Sequence, residues 1–319
     1  MTVQLLLLIA GLLLIVFGAD WLVDGASAIA RKVGISEFVI GLTIVGFGTS
    51  CPELVVSLTG ALEGNADISI GNVSGSNIFN TLLILGMTAL IAPVAVTSSN
   101  RKRDIPITLL VTAMFLFCGL GHSLFGLGNV DSISRIEGLV FLAVFALYLF
   151  SCFKFDTGSS DDTGNAKPMN IWLAILLVIA GLAGLIFGGR LFVDSAVNIA
   201  HMLGVSDKFI AITILAGGTS LPELATCIVA AAKHKDQLAL GNILGSNVFN
   251  ILLILGVSAV VTPLSFGGMT LIDCGVLLLS ASMVWLWTYT GKRNTIDRWE
   301  GLIMILTFAA YYWYLIAQI

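Results

Sequence analysis

The chain has 319 residues, of which 57% are hydrophobic and 11% charged. A soluble domain carries about 25% charged residues, so this composition, with a mean hydropathy of +1.01, excludes a soluble globular protein. It fits an all-α polytopic membrane protein. The net charge of −4 excludes nothing, because orientation in a bilayer follows where Lys and Arg lie and not their sum.

Apolar stretches near the spanning length of about 20 residues number ten: 4–22, 38–62, 68–92, 105–121, 134–152, 171–191, 209–232, 238–261, 271–289 and 299–317. The first resembles a signal peptide but has no basic leading segment, so it is read as part of the fold. The second, third, seventh and eighth stretches carry Gly, Pro, Ser, Thr and Asn in their middles. That pattern predicts discontinuous helices whose freed backbone faces a protected cavity. Cys51, Cys118, Cys152, Cys227 and Cys274 show neither metal-ligand spacing nor a disulfide framework and read as packing residues.

With the N-terminus outside, the inner loops hold Arg31, Lys32, Arg101, Lys102, Arg103, Lys154, Lys167, Lys233, Lys235, Lys292, Arg293 and Arg298. The outer side keeps Arg135, Arg190 and Lys208, which is twelve basic residues against three. By the positive-inside bias both termini lie outside the cytoplasm.

An ungapped shift of 170 lays residues 11–93 on 181–263 with 35 of 83 positions identical. Further on, Arg135-Ile136-Glu137-Gly138-Leu139 matches Arg298-Trp299-Glu300-Gly301-Leu302 at an offset of 163. The five-span unit is therefore duplicated, and an odd number of spans per unit turns the copies in opposite senses. The reading is two inverted five-helix repeats, 1–153 and 171–319, joined by a polar Gly/Ser-containing linker at 154–170. The linker's acidic residues lack EF-hand spacing.

The chemistry sits in Gly48-Thr49-Ser50-Cys51-Pro52-Glu53 and its copy Gly218-Thr219-Ser220-Leu221-Pro222-Glu223. A carboxylate at the centre of a span costs about 2.5–3.5 kcal/mol on insertion scales, and no basic residue lies at similar depth to neutralise Glu53 or Glu223. They are protonated or they face cations. Thr49 and Glu53 are four apart, as are Ser76 and Asn80; Thr219 with Glu223 and Ser246 with Asn250 repeat this, so each pair shares a helix face. Ser50 and Ser220 add hydroxyls. These are hard oxygen donors without His, Cys or Met, a set for Ca2+ and similar cations. Pro52 and Pro222 remove helix hydrogen bonds, and the carbonyls around Gly46–Gly48 and Ala216–Gly218 are expected to turn toward an ion. Gly71, Gly75, Gly241 and Gly245 read as packing residues. Asn72, Asn77, Asn242 and Asn247 read as holding backbone.

The GTSCPE and GTSLPE motifs, with GNVSGSNIFN and GNILGSNVFN, resemble the paired alpha-repeats of the cation/Ca2+ exchanger superfamily, and most of all its prokaryotic sodium/calcium exchangers. The resemblance covers essentially the whole chain. It implies ten helices in two inverted halves in a prokaryotic plasma (inner) membrane, exchanging Na+ for Ca2+ by alternating access. It also implies that spans one and six slide relative to the rest. The implied ion ligands are Thr49, Ser50, Glu53, Ser76, Thr219, Ser220, Glu223 and Ser246, with the carbonyls of Gly46 and Ala216. No catalytic group, cofactor, nucleic acid or protein partner is implied; the partners are the two ions and the bilayer.

Some relatives have Asp where this chain has Asn250, and Asn80 is an amide as well. Two glutamates balance one Ca2+ or two Na+, so a third Na+ leaves the site at +1. Two rival transport modes use the same residues: Ca2+/H+ exchange through glutamate protonation, and a passive cation channel.

Overall fold

The computed structural model describes residues 1–126, 130–155, 169–204, 216–266, 268–290 and 294–318. The first half contains α1 (Thr2–Val33), α2 (Glu37–Thr49), α3 (Cys51–Leu62), α4 (Ala66–Ile91), α5 (Ile105–Gly119) and α6 (Arg135–Lys154). The second contains α7 (Ile171–Met202), α8 (Leu221–Ala232), α9 (Asp236–Val261), α10 (Leu271–Trp287) and α11 (Arg298–Ala317). Six of these helices, α1, α4, α6, α7, α9 and α11, are long and apolar enough to cross a bilayer. The bent pair α2–α3 makes a seventh among the described residues. The chain is a multi-pass, helical membrane protein. The stretch from 156 to 168, most of the expected linker, and 209–215 of the seventh expected span lie outside the described residues.

Helices begin where the sequence supplies caps. Ser134 and Glu137 form a reciprocal capping box at α6, Thr270 and Asp273 at α10, and Asp297 and Glu300 at α11. α1 ends at Gly34, whose φ of 79° is the left-handed conformation that closes a helix.

At 32 residues each, α1 and α7 are about 48 Å long, far longer than the expected spans 4–22 and 171–191. They pack mainly against each other, and glycines set the contact. A Cβ on Gly18 would lie 2.8 Å from the Gly181 carbonyl, and one on Gly181 would lie 2.7 Å from the Gly18 carbonyl. The backbones touch because nothing stands between them.

α9 is the most buried of the long helices, α4 the next, while α1, α6, α7 and α11 present most of their surface outward. Two short antiparallel pairs tie the halves together: Val94–Ala95 with Thr295–Ile296, and Ser132–Ile133 with Leu264–Ser265. Each pair is the other's counterpart under the repeat.

One expectation needs correction. The third and eighth spans do not break. α4 and α9 continue through π-helical stretches, Phe79–Ile84 and Phe249–Leu255, where the polar middle loosens the helix without ending it. The glycine expectation is met at Gly241 and Gly245, whereas the counterparts of their neighbours, Lys208 and Ile212, which would face Gly71 and Gly75, lie outside the described residues. A Cβ on Gly241 would sit 2.2 Å from the Phe38 carbonyl and one on Gly245 2.5 Å from the Leu42 carbonyl. Gly71 and Gly75 meet no such neighbour among the described residues.

Candidate functional site

The break between α2 and α3 falls at Ser50, whose ψ of 6° is not helical, and the two segments diverge by 49°. Pro52 sits in the first turn of α3, where a missing N–H costs nothing. It therefore starts the second segment and does not kink the interior of a longer helix. The Gly46 carbonyl is engaged, accepting from Ser50 N at 3.1 Å and Thr49 Oγ1 at 3.4 Å. The carbonyl that Pro52 leaves without a helical donor is that of Gly48, four residues back. Pro222 opens α8 in the same way after Ser220, and Ala216 lies in the short turn Ala216–Gly218 before it.

This construction places Glu53 and Glu223 in the first turns of α3 and α8, each 1% exposed. The two breaks face one another. Ser50 Oγ donates to Glu223 Oε1 at 3.0 Å, and Ser220 Oγ donates to Glu53 Oε1 at 3.1 Å. Ser220 Oγ also lies 3.3 Å from Ser76 Oγ of α4. Serines and glutamates thus cross between the halves.

The amides of α4 and α9 form the adjoining layer. Asn250 Nδ2 donates to Asn77 Oδ1 at 2.9 Å and Asn80 Nδ2 to Asn247 Oδ1 at 3.3 Å. Asn77 Nδ2 reaches the Asn247 carbonyl at 3.1 Å, and Asn247 Nδ2 reaches Thr81 Oγ1 at 2.8 Å. Asn72 spans the Glu53 carbonyl at 3.2 Å and Ser57 Oγ at 3.0 Å. Its counterpart Asn242 accepts from Thr49 Oγ1 at 3.2 Å and donates to Cys227 Sγ at 3.2 Å. Asn72 and Asn77 each hold a backbone carbonyl and a side chain, whereas Asn242 and Asn247 hold side chains through their own side-chain amides. Thr81 and Cys227 escaped the sequence reading. The Cys227 position pairs with Ser57 across the repeat, which was the available signal.

What these bonds leave over defines the site. Glu53 Oε2, Glu223 Oε2, Asn80 Oδ1 and Asn250 Oδ1 are buried and make no hydrogen bond among the described residues, nor do the hydroxyls of Thr219 and Ser246. The four acceptor oxygens are two pairs related by the shift of 170. Neither glutamate takes part in an ion pair among the described residues. Buried acceptors without donors are costly, and an array of them is stabilised by cations or protons. Among the described residues no three His, Cys, Asp or Glu side chains converge, so the set is hard and not of the kind that selects transition metals.

A model of the sodium/calcium exchanger protein family matches residues 3–154 and 173–317. The chain belongs to the sodium/calcium exchanger family. The sodium/calcium exchanger MaX1 of Methanosarcina acetivorans is 34% identical over 342 residues, covering 97% of each chain. The inner membrane protein YrbG of Escherichia coli is 38% identical over 272 residues, 81% of this chain and 79% of that one. A solved structure of the sodium-calcium exchanger NCX_Mj, soaked with Na+ and Sr2+, superposes with a TM-score of 0.82 at 34% identity over 97% of both chains. The family is one of transmembrane ion antiporters, and the chain is accordingly a cation exchanger.

Proposed function

We propose that the chain exchanges Na+ for Ca2+ by alternating access, as ten spans in two inverted repeats, 1–153 and 171–319, joined by a cytoplasmic linker. Both termini face away from the cytoplasm of a prokaryotic inner membrane. The ions bind between the halves, held by Glu53 and Glu223 with Thr49, Ser50, Ser76, Asn80, Thr219, Ser220, Ser246 and Asn250 and the carbonyls of Gly46 and Ala216.

One observation carries this reading: the symmetric set of buried acceptor oxygens on Glu53, Glu223, Asn80 and Asn250 that no donor among the described residues satisfies. One Ca2+ or several Na+ compete for the same oxygens, so the two loads exclude each other. An unloaded pair of carboxylates is expensive to carry past an apolar barrier, and this makes exchange obligatory.

The test is Ca2+ uptake by purified protein in liposomes with Na+, K+ and H+ gradients imposed singly. An outward-directed Na+ gradient drives uptake in the wild type, and Glu53→Gln or Glu223→Gln abolishes it. Uptake driven by a pH gradient without Na+ assigns the chain to Ca2+/H+ exchange. Conductance far above carrier rates makes it a channel.

A further inference from the structure

Lys233 closes α8, and its ammonium lies 2.7 Å from Asp20 Oδ1 and 2.6 Å from Asp24 Oδ1. The two aspartates are one turn apart on α1, so both face the same cation. The contact joins the halves at one end of the molecule, where α1 runs alongside α8.

Shifted by 170, Lys233 becomes Glu63, which closes α3 just as Lys233 closes α8. Asp20 becomes Arg190 and Asp24 becomes Asp194. The counterpart positions thus hold a second opposite-charge pair with its signs exchanged: the acid caps the broken helix and the base rides on the long one. Glu63 and Arg190 are exposed and form no ion pair among the described residues, and α7 barely touches α3. One copy of the contact is made and the other is open.

In inverted-repeat carriers the two access states arise when the halves exchange conformations. A contact made in one half and unmade in its copy is therefore one that switches. We propose that Lys233 with Asp20 and Asp24, and Glu63 with Arg190, are two alternating electrostatic latches, one closed in each access state. This rests on the alternating-access reading above. The latches are unequal: Lys233 meets two carboxylates, whereas Glu63 would meet Arg190 with Asp194 a turn away, repelling it. The pair of α1 and α7 is thereby biased toward closure at the Lys233 end when no ion is bound.

Hydrogen–deuterium exchange of the full chain in nanodiscs, without ions and with saturating Ca2+, tests the proposal. Lys233→Gln in the ion-free protein should raise exchange at the α8 end and lower it at the α3 end. The population ratio should shift about threefold, as the loss of a part-exposed ion pair allows. Glu63→Gln should shift the Ca2+-loaded balance in the opposite direction. Reversing all three charges, Lys233→Glu with Asp20→Lys and Asp24→Lys, should restore the wild-type pattern and so separate the latch from a loss of folding. Exchange altered at the α8 end alone, or the same sign for Lys233→Gln and Glu63→Gln, would overturn the latch while a Ca2+ response in the wild type leaves alternating access standing. A wild type with no Ca2+ response at either end would overturn both.

Discussion

Ser50 Oγ donates to Glu223 Oε1 at 3.0 Å across 173 positions of chain, so the hydroxyl at the break of one half orients the carboxylate of the other. Ser220 does the same for Glu53 at 3.1 Å. Each glutamate is left with one oxygen bonded and one without a partner among the described residues. Ser50→Ala and Ser220→Ala should each weaken Ca2+ binding about tenfold, the usual loss for a hydrogen bond to a charged group. Calorimetric titration of the purified protein checks this, and equal affinities would mean that the crossing bonds do not position the carboxylates.

Asn77 should behave as a positioning residue. It anchors Asn250 Nδ2 at 2.9 Å and so fixes where Asn250 Oδ1 points. Asn77→Ala should raise the Ca2+ concentration for half-maximal uptake several-fold while lowering thermal stability by about 1 kcal/mol. A concentration dependence identical to the wild type, measured in liposomes, would show that Asn250 holds its orientation alone.

Asp104 offers a contrast, because its role is structural. It is fully buried and accepts from Arg103 Nε at 2.8 Å, Asn100 Nδ2 at 3.4 Å and Tyr148 at 3.5 Å. Asp104→Ala leaves the part-buried Arg103 guanidinium without its carboxylate and the buried Asn100 and Tyr148 donors without an acceptor, and should destabilise by about 1–3 kcal/mol. The melting temperature falls, and the Ca2+ affinity of the folded fraction stays unchanged.

The contact between α1 and α7 predicts a steric result. Gly181→Val puts a side chain where the Gly18 carbonyl lies 2.7 Å from the added Cβ, and overpacking of this kind costs about 1–3 kcal/mol. Both melting temperature and transport rate should drop. By comparison Gly275→Ala, which meets no neighbour among the described residues, should change neither through steric conflict.

The polar residues that meet between the halves were legible in the chain because two copies of one motif name the same positions twice. Thr49, Ser50 and Glu53, with Ser76 and Asn80, stand out as polar groups that a bilayer would not otherwise admit. The π-helical stretches were not legible: Phe79-Asn80-Thr81-Leu82-Leu83-Ile84 contains neither Gly nor Pro, and Asn80 and Thr81 loosen the turn without a local signal that the helix continues. The full length of α1 was missed because Asp20 and Asp24 look like the end of an apolar window. Arg31-Lys32-Val33-Gly34 carried the true stop signal, basic residues before a glycine. Once α1 is that long, its aspartates reach Lys233, more than 200 positions away, a partnership that no local pattern announces.

The absence of any ion-pair partner for Glu53 and Glu223 among the described residues has an electrical corollary. With amides at Asn80 and Asn250, the fixed charge of the site is that of two carboxylates, and a single Ca2+ cancels it. A carrier loaded in that way crosses without sensing the transmembrane potential, which otherwise does about 2.3 kcal/mol of work per elementary charge per 100 mV. Any Na+ beyond the second makes the returning load positive. Under the proposed Na+/Ca2+ exchange, voltage then acts on the Na+ limb alone, pulling that load toward the negative side of the membrane while the Ca2+ limb proceeds at the same rate at every potential.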